Sequence, residues 1–333
     1  MKRTLKYLLI IPAVWIVSCT SENPDNGNNG NGGTTPPPTK PRIAGPAFNS
    51  DSAFAFVKKQ VDFGPRVPGT KEHDACGDYY VNKLKSYGLS VSTQSSPATM
   101  YTGMSFTLRN IFAQYKPESK DRILLLAHWD TRPFSDMDPD TAMRKKMFDG
   151  ADDGASGVAV LMEIARIISQ KDPNIGVDFL LSDAEDVGDN GGVPETWCLG
   201  TQYWAQHMPA NYTARFAILL DMVGGIHPVF PREGTGVFFA SNVVEKVWSA
   251  AQKMGYGNVF TNDQTGQTTD DHLYINEYCR IPCIDIVHYE TATHDYPEWH
   301  HKQSDRMDII DKSTLDIVGK VLVDVIWNEN PAS

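Results

Sequence analysis

Four short, almost wholly apolar segments, each running straight into acidic or histidine residues, constrain this chain most strongly. Leu124-Leu125-Leu126-Ala127 leads into His128-Trp129-Asp130, and Asp178-Phe179-Leu180-Leu181 into Ser182-Asp183-Ala184-Glu185-Asp186. Ile218-Leu219-Leu220 leads into Asp221, and residues 284–287 precede a loop carrying His288, His294, His300 and His301. Runs this short and this apolar read as strands buried on both faces of an α/β sheet. Open sheets of that kind bind ligands beyond the carboxyl ends of their strands. Between the first two strands, Gly150-Ala151-Asp152-Asp153-Gly154-Ala155-Ser156-Gly157 turns into a helix and brings two more carboxylates.

The remaining periodicity fits that frame. Helices are expected over 49–61, with Ser50 or Asp51 as the cap, and over 71–87, 158–168, 243–254 and 312–328. Further strands are expected over 89–95, 105–114 and 281–287, and no internal repeat is found. Strands alternating with helices imply a single α/β domain, with a mixed, mostly parallel central sheet flanked by helices. It should occupy residues 44–333.

Carboxylates converging with histidines repel one another unless a cation or protons intervene. Carboxylate plus imidazole, with no thiolate nearby, suits zinc in a catalytic rather than a structural role.

The amino terminus reads as a targeting signal. Lys2, Arg3 and Lys6 precede an apolar run, residues 7–17, that is too short to span a bilayer comfortably. It ends in Ile16-Val17-Ser18-Cys19, which resembles a bacterial lipobox. That implies a signal peptide over 1–18, lipidation at Cys19, and an exported lipoprotein on the periplasmic or cell-surface side of a bacterial membrane. Residues 19–43, rich in Asn, Gly and Pro, offer nothing apolar to bury and read as a disordered tether. Cys76, Cys198, Cys279 and Cys283 remain, as buried free thiols or with one disulfide among three possible pairings. The net charge of −11 argues against a nucleic-acid partner.

Taken together, these motifs resemble the zinc aminopeptidases with a co-catalytic two-metal site, the family that also contains the glutaminyl cyclases. Phe63-Gly64-Pro65-Arg66-Val67-Pro68-Gly69 matches the family's amino-terminal loop, His128-Trp129-Asp130 its His-x-Asp, and residues 150–157 its aspartate turn. The resemblance implies a zinc-aminopeptidase, phosphorylase/hydrolase-like fold. It makes Asp153 a metal ligand, Glu185 the general acid/base and Asp186 a second ligand, where many relatives have Glu. Tyr296-Pro297-Glu298-Trp299-His300-His301 aligns with a cyclase pattern that puts the third ligand at His301, with His300 as the alternative.

Two activities share that scaffold. An aminopeptidase would hold one zinc on His128, Asp153 and Asp221 and another on Asp153, Asp186 and His301. A cyclase would hold one zinc, on Asp153, Asp186 and His301, so that His128 and Asp130 would serve a second metal only in the two-metal case and otherwise support the site. The run Leu220-Asp221-Met222-Val223-Gly224-Gly225 through Phe230-Pro231 is similar to the cyclases, as is Asp270-Asp271-His272, where aminopeptidases commonly have Ser-Asp-His. The expected function is therefore a glutaminyl-peptide cyclotransferase acting as a monomer on peptide amino termini. Asp221 and Asp271 would hydrogen-bond the amine and leaving group, and Trp197, Trp299 and His300 would line the substrate pocket. A non-catalytic binding protein would have no use for Glu185 beside the metal.

Overall fold

A computed structural model describes residues 42–329. The signal peptide, Cys19 and nearly all of the tether lie outside the described residues. Arg42 pairs with Asp324, and the Ile43 N–H donates to Asn328 Oδ1 at 2.9 Å, so the packed domain includes residues just before the expected start at 44.

The chain runs α1 (Ser50–Val61), α2 (Lys71–Ser86), β1 (Ser90–Thr99), β2 (Ser105–Tyr115), β3 (Arg122–His128), α3 (Ala155–Gln170) and β4 (Gly176–Ser182). It continues through α4 (Leu199–Gln206), β5 (Ala217–Asp221), β6 (Phe230–Arg232), α5 (Gly234–Lys253), β7 (Phe260–Gln264), α6 (Asp271–Tyr274), β8 (Cys283–Val287) and α7 (Lys312–Asn328). The main sheet has the order β1-β2-β4-β3-β5-β8, antiparallel at β1/β2 and β2/β4 and parallel from β4 to β8. Strands β6 and β7 form a separate parallel pair.

Every residue of β3 and β4 is buried, their apolar runs filling both faces and the Asp178 that interrupts β4 pairing with Arg122. Alternate residues serve the two faces. Ile123, Leu125, Val177, Phe179, Ile218 and Leu220 join the large core that includes residues of α1, α2, α3, α5 and α7. Leu124, Leu126, Leu180 and Leu219 join a smaller core with Trp204 of α4 and Ile275.

Several boundaries differ from expectation for physical reasons. Asn49, not Ser50 or Asp51, caps α1, its side chain accepting from the Ser52 N–H. β1 extends to Thr99 because pairing with β2 carries this edge strand onward, and Pro97 is tolerated there. β8 starts at Cys283, after Pro282, which has no N–H to give a ladder. α5 begins nine residues before the expected 243, launched by Glu233, whose carboxylate accepts from the Thr235 and Gly236 N–H groups. Helices α4 and α6 and strands β6 and β7 were not expected. All four described cysteines are free thiols, which removes the disulfide alternative.

Candidate active site and metal centre

Because β3, β4, β5 and β8 are mutually parallel, their carboxyl ends share one edge of the sheet, and the charged residues gather there. His128 closes β3; its Nε2 lies 3.0 Å from Asp153 Oδ1 and 3.2 Å from Asp221 Oδ1, at the end of β5. His301 Nε2 lies 2.9 Å from Asp186 Oδ1 and 3.7 Å from Asp153 Oδ2. Asp153 therefore stands between two donor sets, one with His128 and Asp221 and one with Asp186 and His301. His300 also brings a ring nitrogen close to Asp153 and His301.

Buried hydrogen bonds fix this arrangement. Both oxygens of Asp305 accept from the Asp152 and Asp153 N–H groups, at 2.7 and 3.1 Å. Asp152 in turn accepts from the Gly224 N–H and the Trp299 indole N–H, each at 2.8 Å. A Cβ on Gly154 would come within 2.5 Å of the His128 carbonyl oxygen, so only glycine lets the turn approach β3 this closely. Behind Glu185 and Asp186, the Asp130 carboxylate accepts both of their backbone N–H groups, at 3.0 and 3.2 Å. Asp130 thus supports the acid pair instead of facing the cavity.

The cavity at this edge measures about 300 Å³; Glu185, Asp221 and Asp270 line it together with Asp153, Asp186 and His301. Trp197, Tyr296 and His300 wall it. A larger cavity of about 770 Å³ adjoins it through Thr269, but Glu277 is the one carboxylate in its lining, so the chemistry is not there.

Two expected site residues are placed elsewhere. Asp271 is buried away from the cavity, where its Oδ2 accepts the Ser182 hydroxyl; Asp270, capping α6, takes the cavity position instead. Trp299 spends its indole N–H on Asp152 and walls a neighbouring cavity, so its part is to hold the aspartate turn. Asp270 went unrecognised because consecutive acids differ only in which one precedes the first helical turn, a distinction set by the fold.

The electrostatics suit a cation. Burial, with the negative charges of Asp270, Asp186 and Asp271, pushes the Glu185 carboxyl well above its ordinary range, although His128 pulls it back. Burial raises Asp221 to about 6 against the pull of His128. Burial and the charges of Asp221 and Asp271 raise Asp270 to about 8. Burial and the Arg132 guanidinium lower His301 to about 4, leaving its imidazole neutral with a lone pair to offer. Asp186 Oδ1 is buried without a well-aimed hydrogen-bond donor. A carboxylate-rich, imidazole-containing set with an orphaned oxygen fits a divalent metal such as zinc.

Fold and site together define an α/β enzyme built around a carboxylate–histidine metal centre. The chain belongs to peptidase family M28, which it matches over residues 110–326. It is 48% identical to a glutaminyl cyclase from Bacteroides thetaiotaomicron, covering 86% of this chain and 100% of that one, with a TM-score of 0.84. A Zn-dependent exopeptidase from Parabacteroides distasonis is 47% identical, with the same coverage of both chains and a TM-score of 0.84. Aminopeptidase YwaD from Bacillus subtilis is 24% identical over 228 residues, 66% of this chain and 44% of its own length. The chain thus spans less than half of that relative.

Proposed function

We propose that this protein is a zinc-dependent glutaminyl-peptide cyclotransferase, which converts amino-terminal glutamine to pyroglutamate with release of ammonia. The observation that carries the reading is Asp270 in the cavity beside Glu185, where aminopeptidases of the family commonly have serine. A second protonatable carboxyl next to the general base serves a reaction that shuttles one proton between two nitrogens. The whole-length likeness to a glutaminyl cyclase supports the same reading.

A zinc ion held by Asp153, Asp186 and His301 would supply Lewis acidity to the side-chain carboxamide oxygen of the substrate. Glu185 takes a proton from the substrate's α-amine as that nitrogen attacks the carboxamide carbon. The new C–N bond closes a five-membered ring, the old C–N bond breaks, and Glu185 returns the proton to the departing ammonia. Asp221 and Asp270 accept hydrogen bonds from the two nitrogens and orient a ring closure that is already intramolecular. Trp197, Tyr296 and His300 wall the cavity in which the glutamine side chain would sit.

His128, Asp153 and Asp221 bring ligand atoms within 4.8 Å of one another, which favours a two-metal aminopeptidase as the second reading. Incubating the full chain with a Gln-initiated dipeptide amide separates the two. Ammonia release with an intact peptide bond and one zinc per chain is the expected result. Release of free glutamine with two metals per chain would overturn it. The reading extends to an exported, lipid-anchored enzyme with residues 1–18 removed, supported by the lipobox-like sequence at Cys19 and the spacer behind it.

A further inference from the structure

Arg132 is fully buried at the rim of the metal centre, where an unpaired charge would be costly. Its guanidinium makes four hydrogen bonds. Nε and Nη2 donate to Asp136 Oδ1 and Oδ2 at 2.8 and 2.7 Å, and Nη1 donates to the carbonyl oxygens of Asp186 and Gly188, each at 3.1 Å. Nη1 also lies 3.5 Å from Asp186 Oδ1, and the Arg132 backbone N–H donates to Asp186 Oδ2 at 3.1 Å. The planar cation sits 4.8 Å from the Phe134 ring centre and 4.9 Å from that of Trp197. Trp197 in turn lies parallel to the His301 ring, at 9° and 6.1 Å.

The carboxylate that Arg132 clamps points at the other side of the metal centre. Asp136 Oδ1 is 3.7 Å from His301 Nδ1, a buried nitrogen with no hydrogen-bond partner, while Nε2 of the same ring faces Asp186 and Asp153. The Met137 N–H donates to the His301 carbonyl at 3.3 Å, so the Asp136 segment also holds the His301 backbone. A histidine that ligates a metal through one nitrogen usually gives its other N–H to a carboxylate, which fixes tautomer and ring orientation.

We propose that Asp136, clamped by Arg132, is a positioning residue that accepts a hydrogen bond from the Nδ1–H of His301 when the metal is bound and so aims Nε2 at the metal, while the same guanidinium holds Trp197 against the cavity. Metal affinity and pocket shape then depend on one ion pair between buried Arg132 and half-buried Asp136. The proposal rests on His301 as a ligand but not on which reaction the metal serves.

The test is the zinc dissociation constant of the full chain, measured by competition with a chromogenic chelator, so no substrate is needed. Asp136→Asn should weaken zinc about 10–100-fold, and Asp136→Glu should restore most of that loss. Asp136→Asn also takes the carboxylate partner from buried Arg132 and should lower melting of the zinc-free form by several degrees, so zinc is titrated at a temperature where circular dichroism shows every variant folded, which separates positioning from folding. Arg132→Lys should weaken zinc as well and, with zinc saturating, raise KM for a Gln-dipeptide amide, because a lysine cannot stack on Trp197 and clamp Asp136 together. Zinc binding by Asp136→Asn within about threefold of wild type, or an Asp136→Glu variant as weak as the Asn one, would overturn the proposal. A wild-type chain that binds zinc but cyclises nothing leaves it standing and removes only the cyclase reading.

Discussion

Glu185 combines burial with the charges of three neighbouring aspartates, a setting that favours a proton-bearing carboxyl in the metal-free form and a working base once a cation offsets those charges. Glu185→Gln keeps the shape and removes the proton exchange. It should lower turnover by roughly 10²–10⁴-fold while leaving thermal melting nearly unchanged. A variant that retained a tenth of wild-type turnover would remove Glu185 from the mechanism. The adjacent acids Asp270 and Asp271 should behave differently, because one lines the cavity and the other is sealed behind it. Asp270→Asn should lower kcat by about 10²-fold with little change in urea stability. Asp271→Asn should cost stability, on the order of 1–3 kcal/mol, through the disturbed Ser182 hydrogen bond. Steady-state kinetics beside urea titration of both variants tells them apart; equal kinetic defects would mean that both acids reach the substrate.

At the scale of elements, the amino end of α5 shows how one buried acid joins segments that are distant in sequence. Glu233 caps the helix, accepts from the Thr268 N–H at 2.8 Å, and meets His272 Nε2 at 2.8 Å. Burial alone would raise its pKa, but the His272 hydrogen bond and charge and the two helix N–H groups pull it down to about 2. A carboxylate depressed in this way stabilises the fold above its unfolded value of 4.5, and that contribution is lost as pH falls from 4.5 towards 2. His272 is shifted the other way: burial opposes its charge, but Glu233 raises its pKa, so its share is complete below 6.5 and lost as pH rises through the folded value. Glu233→Gln should therefore cost roughly 3 kcal/mol near pH 5–6, and the gap to wild type should narrow on acidification towards pH 2. Urea titrations at pH 5.5 and 3 would show it, and a gap that widened in acid would contradict the assignment. This junction was also the hardest to read in advance. β3, β4 and β5 announce themselves because burial on both faces demands apolar runs, broken in β4 by Asp178, which Arg122 pairs. The first half of α5 hides behind Gly234-Thr235-Gly236, a poor helix start that becomes stable once Glu233 and the 264–269 loop supply partners. The site was legible in the same uneven way. Asp153, Glu185, Asp186 and Asp221 lie at ends of apolar runs or in a glycine-marked turn, and the fold brings all four to one cavity. The different fates of Asp270 and Asp271, or of Trp299 and His300, depend on where one helical turn or loop begins, which spacing alone does not encode.

At the scale of the whole molecule, the sheet delivers more negative charge to one edge than buried cations balance, and the metal completes the fold as well as the chemistry. Without it, Asp221 and Asp270 keep pKa values near 6 and 8, raised by burial from an unfolded value of 3.8. A carboxyl raised in the folded state binds more protons folded than unfolded. The metal-free protein should accordingly lose stability as pH rises from about 4 to 8, the window those values define. Zinc held by Asp153, Asp186 and His301 should lessen that dependence by adding positive charge to the cavity that Asp221 and Asp270 line, and at a thousandfold excess over its dissociation constant it contributes about 4 kcal/mol. For a domain this size, chelation at pH 8 should lower the melting temperature by roughly 5–10 °C. At pH 5 the loss should be smaller, because protons already hold the facing carboxyls apart from charge, and because zinc binds more weakly when it must displace them. Scanning calorimetry with and without chelator at both pH values gives four melting temperatures. If the difference between loaded and stripped protein were the same at pH 5 and pH 8, the carboxylate edge would not be what the metal neutralises, and the centre would have to be rebuilt around histidine alone.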